Sequence, residues 1–586
     1  MKKSILALSA LAVAGGLGLA GSAQAVYSFG QGVDTTGAPY VLANTALGLE
    51  LNPGTTGHEL VVPYYSVQGD TATMINIVNT DTTRGKAVKV RFRGAANSDD
   101  VLDFTLLMSP GDVWNGTILR NANNGLAKIV TNDLTCTLPG RDPDLGGKTQ
   151  LQVGMDFITS RFRSVTGDYL TDSQKAANTR EGYVEILNMA DIPPYTYGTD
   201  GTSATWKTND LFAAVKHTKT GGAPACEDGV WRSGSNTGTG VFDALLDLNP
   251  EVGTALLNNY GLAAPTGGLT GGWLMINQAT LAQFSGNDTA VRAFSVPSSG
   301  TSRGATGSAW VAFSPQIKKQ APASLVSKAT ADPLLTFNGG KGIVPPQWFD
   351  LPDLSTPMGF VAPADTPTGQ AAMLAQALGK TRVNDEFYND PASTVLTTNT
   401  DWIISQPTRR YFAVIDYATS AAAARIVYNN NQPAPDGSGR VPGGLPYAGD
   451  GNAAGWSAAD GAGILDKVVN ADYGPQACLN ADVPTFYNQE EVTASLTAQF
   501  SPGYDNPVFC GEVATMTFGK TNAPGNSVLN AALTNTKVTV GYSAGWANFT
   551  FPLGTGPAYG LPVTGFAAIS ILGNGQSYGA TWPLRW

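Results

Sequence analysis

Residues 87–93 read AVKVRFR and carry the clearest structural signal in the chain. Apolar and basic side chains alternate here, a period of two that predicts a β-strand with one buried side and one side facing solvent. The apolar members are Val88, Val90 and Phe92, and the basic members are Lys89, Arg91 and Arg93.

Three neighbouring runs extend this pattern in both directions. They are ELVVPYYSV at 59–67, ATMINIV at 72–78 and VLDFTLLM at 101–108. Clusters of turn-forming residues bound the runs, as in Ser-Pro-Gly-Asp at 109–112. Four strands at this spacing predict half of an antiparallel sandwich.

The rest of the chain also favours short strands separated by turns. Glycine accounts for 69 of 586 residues, and Asn, Thr and Ser are abundant, which indicates many turns. Helical spacing appears at 371–378, and a short helix is expected within 242–260. We therefore expect a mainly β protein with antiparallel sandwich-like domains, long loops and a few short helices. Further strand-like runs lie at 182–189, 272–277, 309–313, 402–417, 513–518, 537–540, 546–551 and 563–571.

Residues 1–25 have the features of a secretory signal peptide. Lys2 and Lys3 precede an apolar run from Ile5 to Leu19, and Ala23-Gln24-Ala25 matches a signal peptidase site. The apolar run is short and rich in glycine, which favours a cleaved signal over a transmembrane anchor. We expect a mature protein that works outside the cytoplasm.

Composition divides the remaining chain into three parts. An N-terminal β domain at 26–315 is followed by an Ala/Pro-rich connecting segment with a helix at 316–400 and a C-terminal β domain at 401–586. The last domain contains a Gly/Pro/Asn-rich insertion at 430–463, which is expected to form an exposed loop or an interaction loop.

Charge argues against several kinds of partner. Charged residues make up 14% of the chain, compared with about 25% in an average soluble domain. The formal net charge is −10 and there is no basic stripe, so nucleic acid is not expected as a partner. The mature chain has no apolar run of 18 residues, so no transmembrane helix is expected. Low charge density favours packing against copies of the same chain.

Four cysteines follow the signal peptide, and their even number predicts disulfides. They do not form a Cys-x-x-Cys motif, which argues against a zinc or redox site. Four cysteines allow three pairings. We favour Cys136 with Cys226 and Cys478 with Cys510, because each pair then lies within one half of the chain.

Motifs for catalysis are lacking, and the two histidines, His58 and His217, are expected to be structural. The sequence has no G-x-S-x-G, H-E-x-x-H or P-loop motif. Paired carboxylates could serve a glycosidase, with a solvated or salt-bridged sheet face as the simpler interpretation. Arg180 is adjacent to Glu181 and could form an ion pair with Glu181 or Glu185. The pairs are Glu181 with Glu185, Asp99 with Asp100 and Asp103, and Glu490 with Glu491.

Two kinds of ligand stay open. Loops rich in Asp and Asn favour Ca²⁺, although none has the EF-hand spacing, and the metal ligands are unknown. These loops contain Asp142 and Asp144, Asp436, and Asp450 with Asn452. A cell-surface glycan could stack on exposed aromatic side chains, but most of the scattered tryptophans are expected in the core. They include Trp114, Trp206, Trp231, Trp273, Trp402, Trp456 and Trp546.

Five segments together resemble a group of secreted, largely uncharacterised proteobacterial cell-surface proteins. The cysteine positions are similar too. The resemblance implies export from a Gram-negative cell and a location at its surface, and it supplies no catalytic residues. The segments are VPYY at 62–65, VRFR at 90–93 with NSDDVLDF at 97–104, TREGYVE at 179–185, DWI at 401–403 with PTRR at 407–410, and TGFA at 564–567.

Together these features predict a non-enzymatic, exported structural subunit of a surface layer, sheath or extracellular matrix, which self-associates into a homopolymer. No cofactor other than Ca²⁺ is expected. The alternatives are an adhesin or carbohydrate-binding surface protein, and a secreted glycoside hydrolase. A surface lined by exposed Trp and Tyr would favour the adhesin, and two converging carboxylates in a cleft would favour the hydrolase.

Overall fold

The computed structural model covers most of the predicted β regions. The expected signal peptide, the run at 309–313, the helix expected within 242–260 and the insertion at 430–463 lie outside the residues it describes. The described residues are 32–33, 46, 48–162, 170–199, 204–218, 222–226, 261–263, 265–294, 331–334, 353–356, 367–417, 424–428, 465–480, 485–491, 508–520, 526–532, 535–551 and 560–586.

Strands predominate among the described residues, so the prediction of a mainly β protein is confirmed. The N-terminal half contributes β1 Gly32–Val33, β2 Gly48–Leu51, β3 Glu59–Ser66, β4 Thr71–Asn79, β5 Gly85–Gly94, β6 Asp100–Met108, β7 Val113–Arg120, β8 Ala127–Val130, β9 Cys136–Leu138, β10 Arg141–Asp142, β11 Lys148–Thr149, β12 Met155–Asp156, β13 Glu181–Ile192, β14 Tyr195–Thr199, β15 Ala204–Thr208, β16 Leu269–Asn277, β17 Gln283–Asn287 and β18 Thr289–Phe294.

The C-terminal half contributes fifteen further described strands. They are β19 Gly379–Lys380, β20 Arg382–Tyr388, β21 Thr397–Ser405, β22 Ala413–Asp416, β23 Arg425–Tyr428, β24 Leu465–Asn470, β25 Gly474–Asn480, β26 Thr485–Asn488, β27 Val508–Cys510, β28 Val513–Lys520, β29 Asn535–Val540, β30 Ala544–Thr550, β31 Leu561–Pro562, β32 Thr564–Gly573 and β33 Gln576–Pro583. The α-helices described are α1 Gln150–Val153, α2 Asp172–Asn178, α3 Asp210–Val215 and α4 Pro367–Leu378.

Two antiparallel sheets form a sandwich in the N-terminal half. A seven-stranded sheet has the order β2-β18-β3-β13-β5-β6-β9, and a six-stranded sheet has the order β12-β8-β7-β4-β16-β17. The apolar side of β5 faces the six-stranded sheet. Phe92 of β5 and Phe104 of β6 form an aromatic cluster there with Trp114 of β7. The four sequence runs around 59–108 therefore supply both layers, because β4 crosses into the second sheet while β3, β5 and β6 stay in the first.

The expectation of a half-buried β5 is wrong, because every residue from Gly85 to Gly94 is buried. The side with Lys89, Arg91 and Arg93 is covered by residues from the connecting segment and the C-terminal half. Alternation identified the two sides of the strand correctly. The alternation carries no information about which residues from other parts of the chain pack on the polar side.

The C-terminal half contains a second layered unit. A five-stranded sheet, β29-β28-β21-β32-β33, has one parallel pair, β28 with β29. A three-stranded sheet, β20-β30-β26, packs over it through rings of Trp402, Phe518, Phe387 and Phe549. This aromatic core gives the C-terminal half its own apolar centre.

The two halves also pack against each other. Trp273 of β16 and Phe566 of β32 have ring centroids 4.4 Å apart. Helix α4, which contains the helix expected at 371–378, buries Ala371, Leu374, Ala375 and Leu378. It lies beside β2 and β31, so it contacts both halves.

Disulfides join Cys136 to Cys226 and Cys478 to Cys510, the pairing favoured from the sequence. Cys478 and Cys510 lie directly opposite each other on β25 and β27. Within the described ranges, no helix combines the length and apolar character needed to cross a membrane.

Candidate functional site

The polar side of the seven-stranded sheet forms a buried layer of ion pairs, here called the charged layer. Its basic residues come from β5, and each has an acidic partner in the same sheet. Arg93 lies 3.0 Å from Glu185, and Lys89 lies 2.7 Å from Asp103. Arg91 lies 3.4 Å from Asp100. Burying charges is costly unless they are paired, and the pairing across adjacent strands satisfies this requirement.

The connecting segment supplies three polar residues to this layer. Asp332 accepts a 2.7 Å hydrogen bond from Arg410, Asp353 lies 3.7 Å from Arg93, and Gln370 of α4 donates a 3.2 Å hydrogen bond to Glu59. These described parts of 316–400 therefore lie between the two halves. The segment contributes to their interface as well as connecting them.

The C-terminal half completes the charged layer through the turn after β21. Arg410 also donates a 2.9 Å hydrogen bond to Asp99, and Tyr417 donates to the same carboxylate. The Tyr411 hydroxyl donates to Glu185 over 3.2 Å. Arg409 pairs with Glu512 at 3.2 Å, with both side chains fully buried. This part of the interface between the halves is therefore polar, whereas the contacts of Trp273 with Phe566 and of α4 are apolar.

Glu181 and Glu185 do not form a solvent-facing pair of catalytic carboxylates. Both are fully buried. Glu181 accepts hydrogen bonds from the Tyr64 hydroxyl and the Ala532 amide, each at 2.9 Å. Arg180 instead donates to the Gly125 carbonyl. Burial raises the pKa of Glu185, and the Arg93 guanidinium opposes that shift.

A bulge in β3 places Tyr64 beside Glu181. In the pairing of β3 with β13, Pro63 and Tyr64 together stand opposite Tyr183. The extra residue turns Tyr64 to the charged side, while Tyr65 packs against Phe92 on the apolar side. Proline fits this position because a bulge needs one fewer ladder hydrogen bond.

The remaining polar candidates are dispersed. His58 is buried, and its Nδ1 accepts a hydrogen bond from the Ala293 amide, which is a structural contact. His217 lies 3.5 Å from Asp112, which lies in the turn between β6 and β7. Glu490 and Glu491 are exposed in the turn after β26. The fold therefore does not bring the two histidines and the Glu490–Glu491 pair together in one site.

The calcium loops give no assembled site in the part of the chain that the structure describes. Asp142 caps a short 3-10 helix by accepting a hydrogen bond from the Asp144 amide. Asp436 and the 450–452 loop lie outside the described residues. Within the described ranges, no three His, Cys, Asp or Glu side chains converge as metal ligands. Calcium binding stays a prediction.

The exposed side of the six-stranded sheet is the surface with the most unusual composition, here called the outer face. Met74 is 41% exposed and Val113 is 45% exposed. Strand register aligns its residues in rows, for example Leu274, Met74, Thr117 and Val130. The outer face comprises Met74, Asn76 and Val78 of β4, Val113, Asn115, Thr117 and Leu119 of β7, Val130 of β8, and Thr270, Leu274 and Ile276 of β16.

Charge is almost absent from this sheet face. Of the residues in the six strands of this sheet, Arg120, Lys128 and Asp156 are the charged ones, and all three lie toward the β12–β8 edge. Solvent-facing sides of antiparallel sheets normally carry polar and charged residues. Methionine, leucine, isoleucine and valine on this side indicate a surface suited to contact with another apolar surface.

Only a weak sequence signal points to the outer face. The run at 72–78 was correctly predicted as a strand, but Ile75 and Ile77 alternate with Met74, Asn76 and Val78, so both sides contain apolar residues. When both sides of a strand carry apolar residues, alternation with a period of two does not show which side is buried. The partner strand β16 lies about 200 residues further along the chain, and only the fold places Leu274 beside Met74.

Comparisons with known proteins returned no relative. No family model matches the chain, and neither a curated protein nor a solved structure matches it.

Proposed function

We propose that the protein is a non-enzymatic structural subunit of a surface layer, sheath or extracellular matrix, and that it self-associates through the outer face. The apolar, nearly uncharged outer face is the observation that carries this proposal. The two disulfides are compatible with an extracellular protein. The use of Glu181 and Glu185 in internal contacts supports a non-enzymatic role.

A second copy of the chain fits the outer face by size and by chemistry. The four strands of the outer face each occupy about 4.8 Å and together cover a width of about 19 Å, and eight residues along a strand span about 26 Å. The face therefore offers on the order of 500 Å² per copy, so a face-to-face pair buries on the order of 1,000 Å² in total. Two such faces can pack about 10 Å apart, as the sheets of a sandwich do.

An interface of this size is at the lower limit for a specific contact. Weak contacts suit a lattice, because each subunit in an assembly is held by several of them at once. The proposal therefore predicts association that rises steeply with protein concentration and a dissociable contact between two isolated copies.

A charge placed in the middle of the outer face tests the proposal. Met74→Lys and Leu274→Lys act on directly opposed positions of β4 and β16. We expect either variant to stay monomeric at concentrations at which the wild type assembles, since two copies would bring buried lysines together. Val395→Lys, at a 76% exposed position of the C-terminal half, is the matched control and should assemble normally.

Sedimentation velocity across protein concentration and electron microscopy of the same samples give the readout. Circular dichroism establishes that the variants remain folded. A wild type that stays monomeric at every concentration would contradict the proposal, and so would assembly of Met74→Lys and Leu274→Lys at wild-type concentrations.

A further inference from the structure

A second exposed sheet face differs from the outer face because it is rich in aromatic residues. It is the solvent side of β20-β30-β26, whose opposite side packs on the aromatic core of the C-terminal half. Strand register aligns Glu386, Trp546 and Tyr487 in one row across the three strands. Trp546 is 40% exposed, which is high for a tryptophan in the middle strand of a sheet.

The aromatic rings are held in place by one another. The rings of Tyr487 and Trp546 stack with centroids 4.3 Å apart and an interplanar angle of 10°. Tyr487 thus occupies one side of the indole. The neighbour of Trp546 on its other side in the row is Glu386.

A second pair of rings continues the face toward the chain end. Tyr388 lies two residues beyond Glu386 on the same side of β20, and its ring packs edge-on against Trp582 at 5.9 Å. Trp582 is 37% exposed. The end of the chain runs beside β20, where the Asn384 amide donates to the Arg585 carbonyl over 2.8 Å.

Polar groups lie among these rings. Arg585 donates a 3.0 Å hydrogen bond to Glu386, and the side chains are 65% and 36% exposed, respectively. Asn384 and Asn548 face each other in the next row of the same side. The face therefore combines flat apolar rings with planar hydrogen-bonding groups. Glu386 and Arg585 neutralise each other, and Arg382 adds a positive charge at the start of the same side of β20.

We propose that this face, defined by Glu386, Tyr388, Tyr487, Trp546, Trp582 and Arg585, binds a glycan built of neutral hexopyranose units. The C–H side of a pyranose ring packs on an indole or phenol ring, and its hydroxyls bond to carboxylate, guanidinium and amide groups. Charge favours a neutral glycan, because Glu386 and Arg585 neutralise each other beside the rings and the chain as a whole is acidic. The site is independent of self-association through the outer face.

Affinity electrophoresis of the mature protein in native gels tests the proposal. The gels contain hydroxyethylcellulose or galactomannan as neutral probes, or alginate as an anionic probe. We expect retardation by at least one neutral probe and about tenfold weaker retardation for Trp546→Ala, the size of effect that one aromatic contact gives. Trp582→Ala is the second variant, and its side chain lies at the edge of the face, so its loss perturbs the fold less.

Tyr578→Ala is the matched control, because Tyr578 is 54% exposed on β33 but lies outside the defined face. It should bind like the wild type. Melting temperatures measured in parallel establish that each variant is folded. Retardation by alginate alone, no retardation by either neutral probe, or wild-type binding by folded Trp546→Ala and Trp582→Ala would each overturn the proposal.

Discussion

Asp288 is a buried carboxyl group. It is 4% exposed between β17 and β18, and neither of its side-chain oxygens has a hydrogen bond to any of the residues that the structure describes. Burial raises the pKa of Asp288 to about 8, compared with an ordinary value near 4. The folded protein therefore holds this proton at neutral pH, whereas the unfolded chain releases it.

This difference makes Asp288 destabilising as pH rises. Between about pH 4 and pH 8 the unfolded state has lost the proton and the folded state has kept it, so the free energy of unfolding falls with pH. We expect Asp288→Asn to match the wild type near pH 4 and to be more stable by an amount that grows to on the order of 5 kcal/mol at pH 8. Urea unfolding of both proteins at pH 4, 6 and 8 measures this difference in unfolding free energy. A difference that is independent of pH would show that Asp288 is ionised in the fold.

At the scale of elements, the pairing of β5 with β13 brings together groups 92 residues apart in sequence, such as Arg93 and Glu185. The sequence predicted the strands and their two sides, because alternation is a local property. It did not predict that the basic side is buried, because its covering comes from residues such as Asp353 and Tyr411. Strand identity depends on neighbours in sequence, whereas burial depends on contacts across the whole fold.

Arg93→Met leaves Glu185 buried without its main counter-ion. We expect a loss of about 3–5 kcal/mol of unfolding free energy at pH 7, smaller at low pH where Glu185 is protonated. The double variant Arg93→Met with Glu185→Met should recover part of this loss, because two apolar side chains can replace a buried pair. Arg585→Met, which removes an exposed pair with Glu386, is the control and should leave stability unchanged. Equal losses in the single and double variants would show that the pair does not act as a unit.

At the scale of the whole molecule, the segments behind the family resemblance converge in space. Val62–Tyr65, Arg91 and Arg93, Glu181–Glu185 and Arg409–Arg410 all lie in or beside the charged layer. These segments therefore concern the interface between the two halves, and the resemblance that rests on them stays a prediction. The outer face and the proposed glycan-binding face lie elsewhere, which is why neither could be inferred from those segments.

The proposed self-association through the outer face has to bring acidic molecules together. Two copies, each with a formal net charge of −10, repel each other within a Debye length of about 8 Å at physiological ionic strength. Calcium binds carboxylate oxygens and can bridge two copies, so it should promote assembly more than screening alone does. We expect light scattering and electron microscopy to show larger assemblies with CaCl₂ than with NaCl of equal ionic strength, and chelation to reverse the difference. Met74→Lys should respond to neither salt, because bridging cannot replace the apolar contact. Equal assembly in the two salts would limit the role of calcium to screening and contradict this prediction.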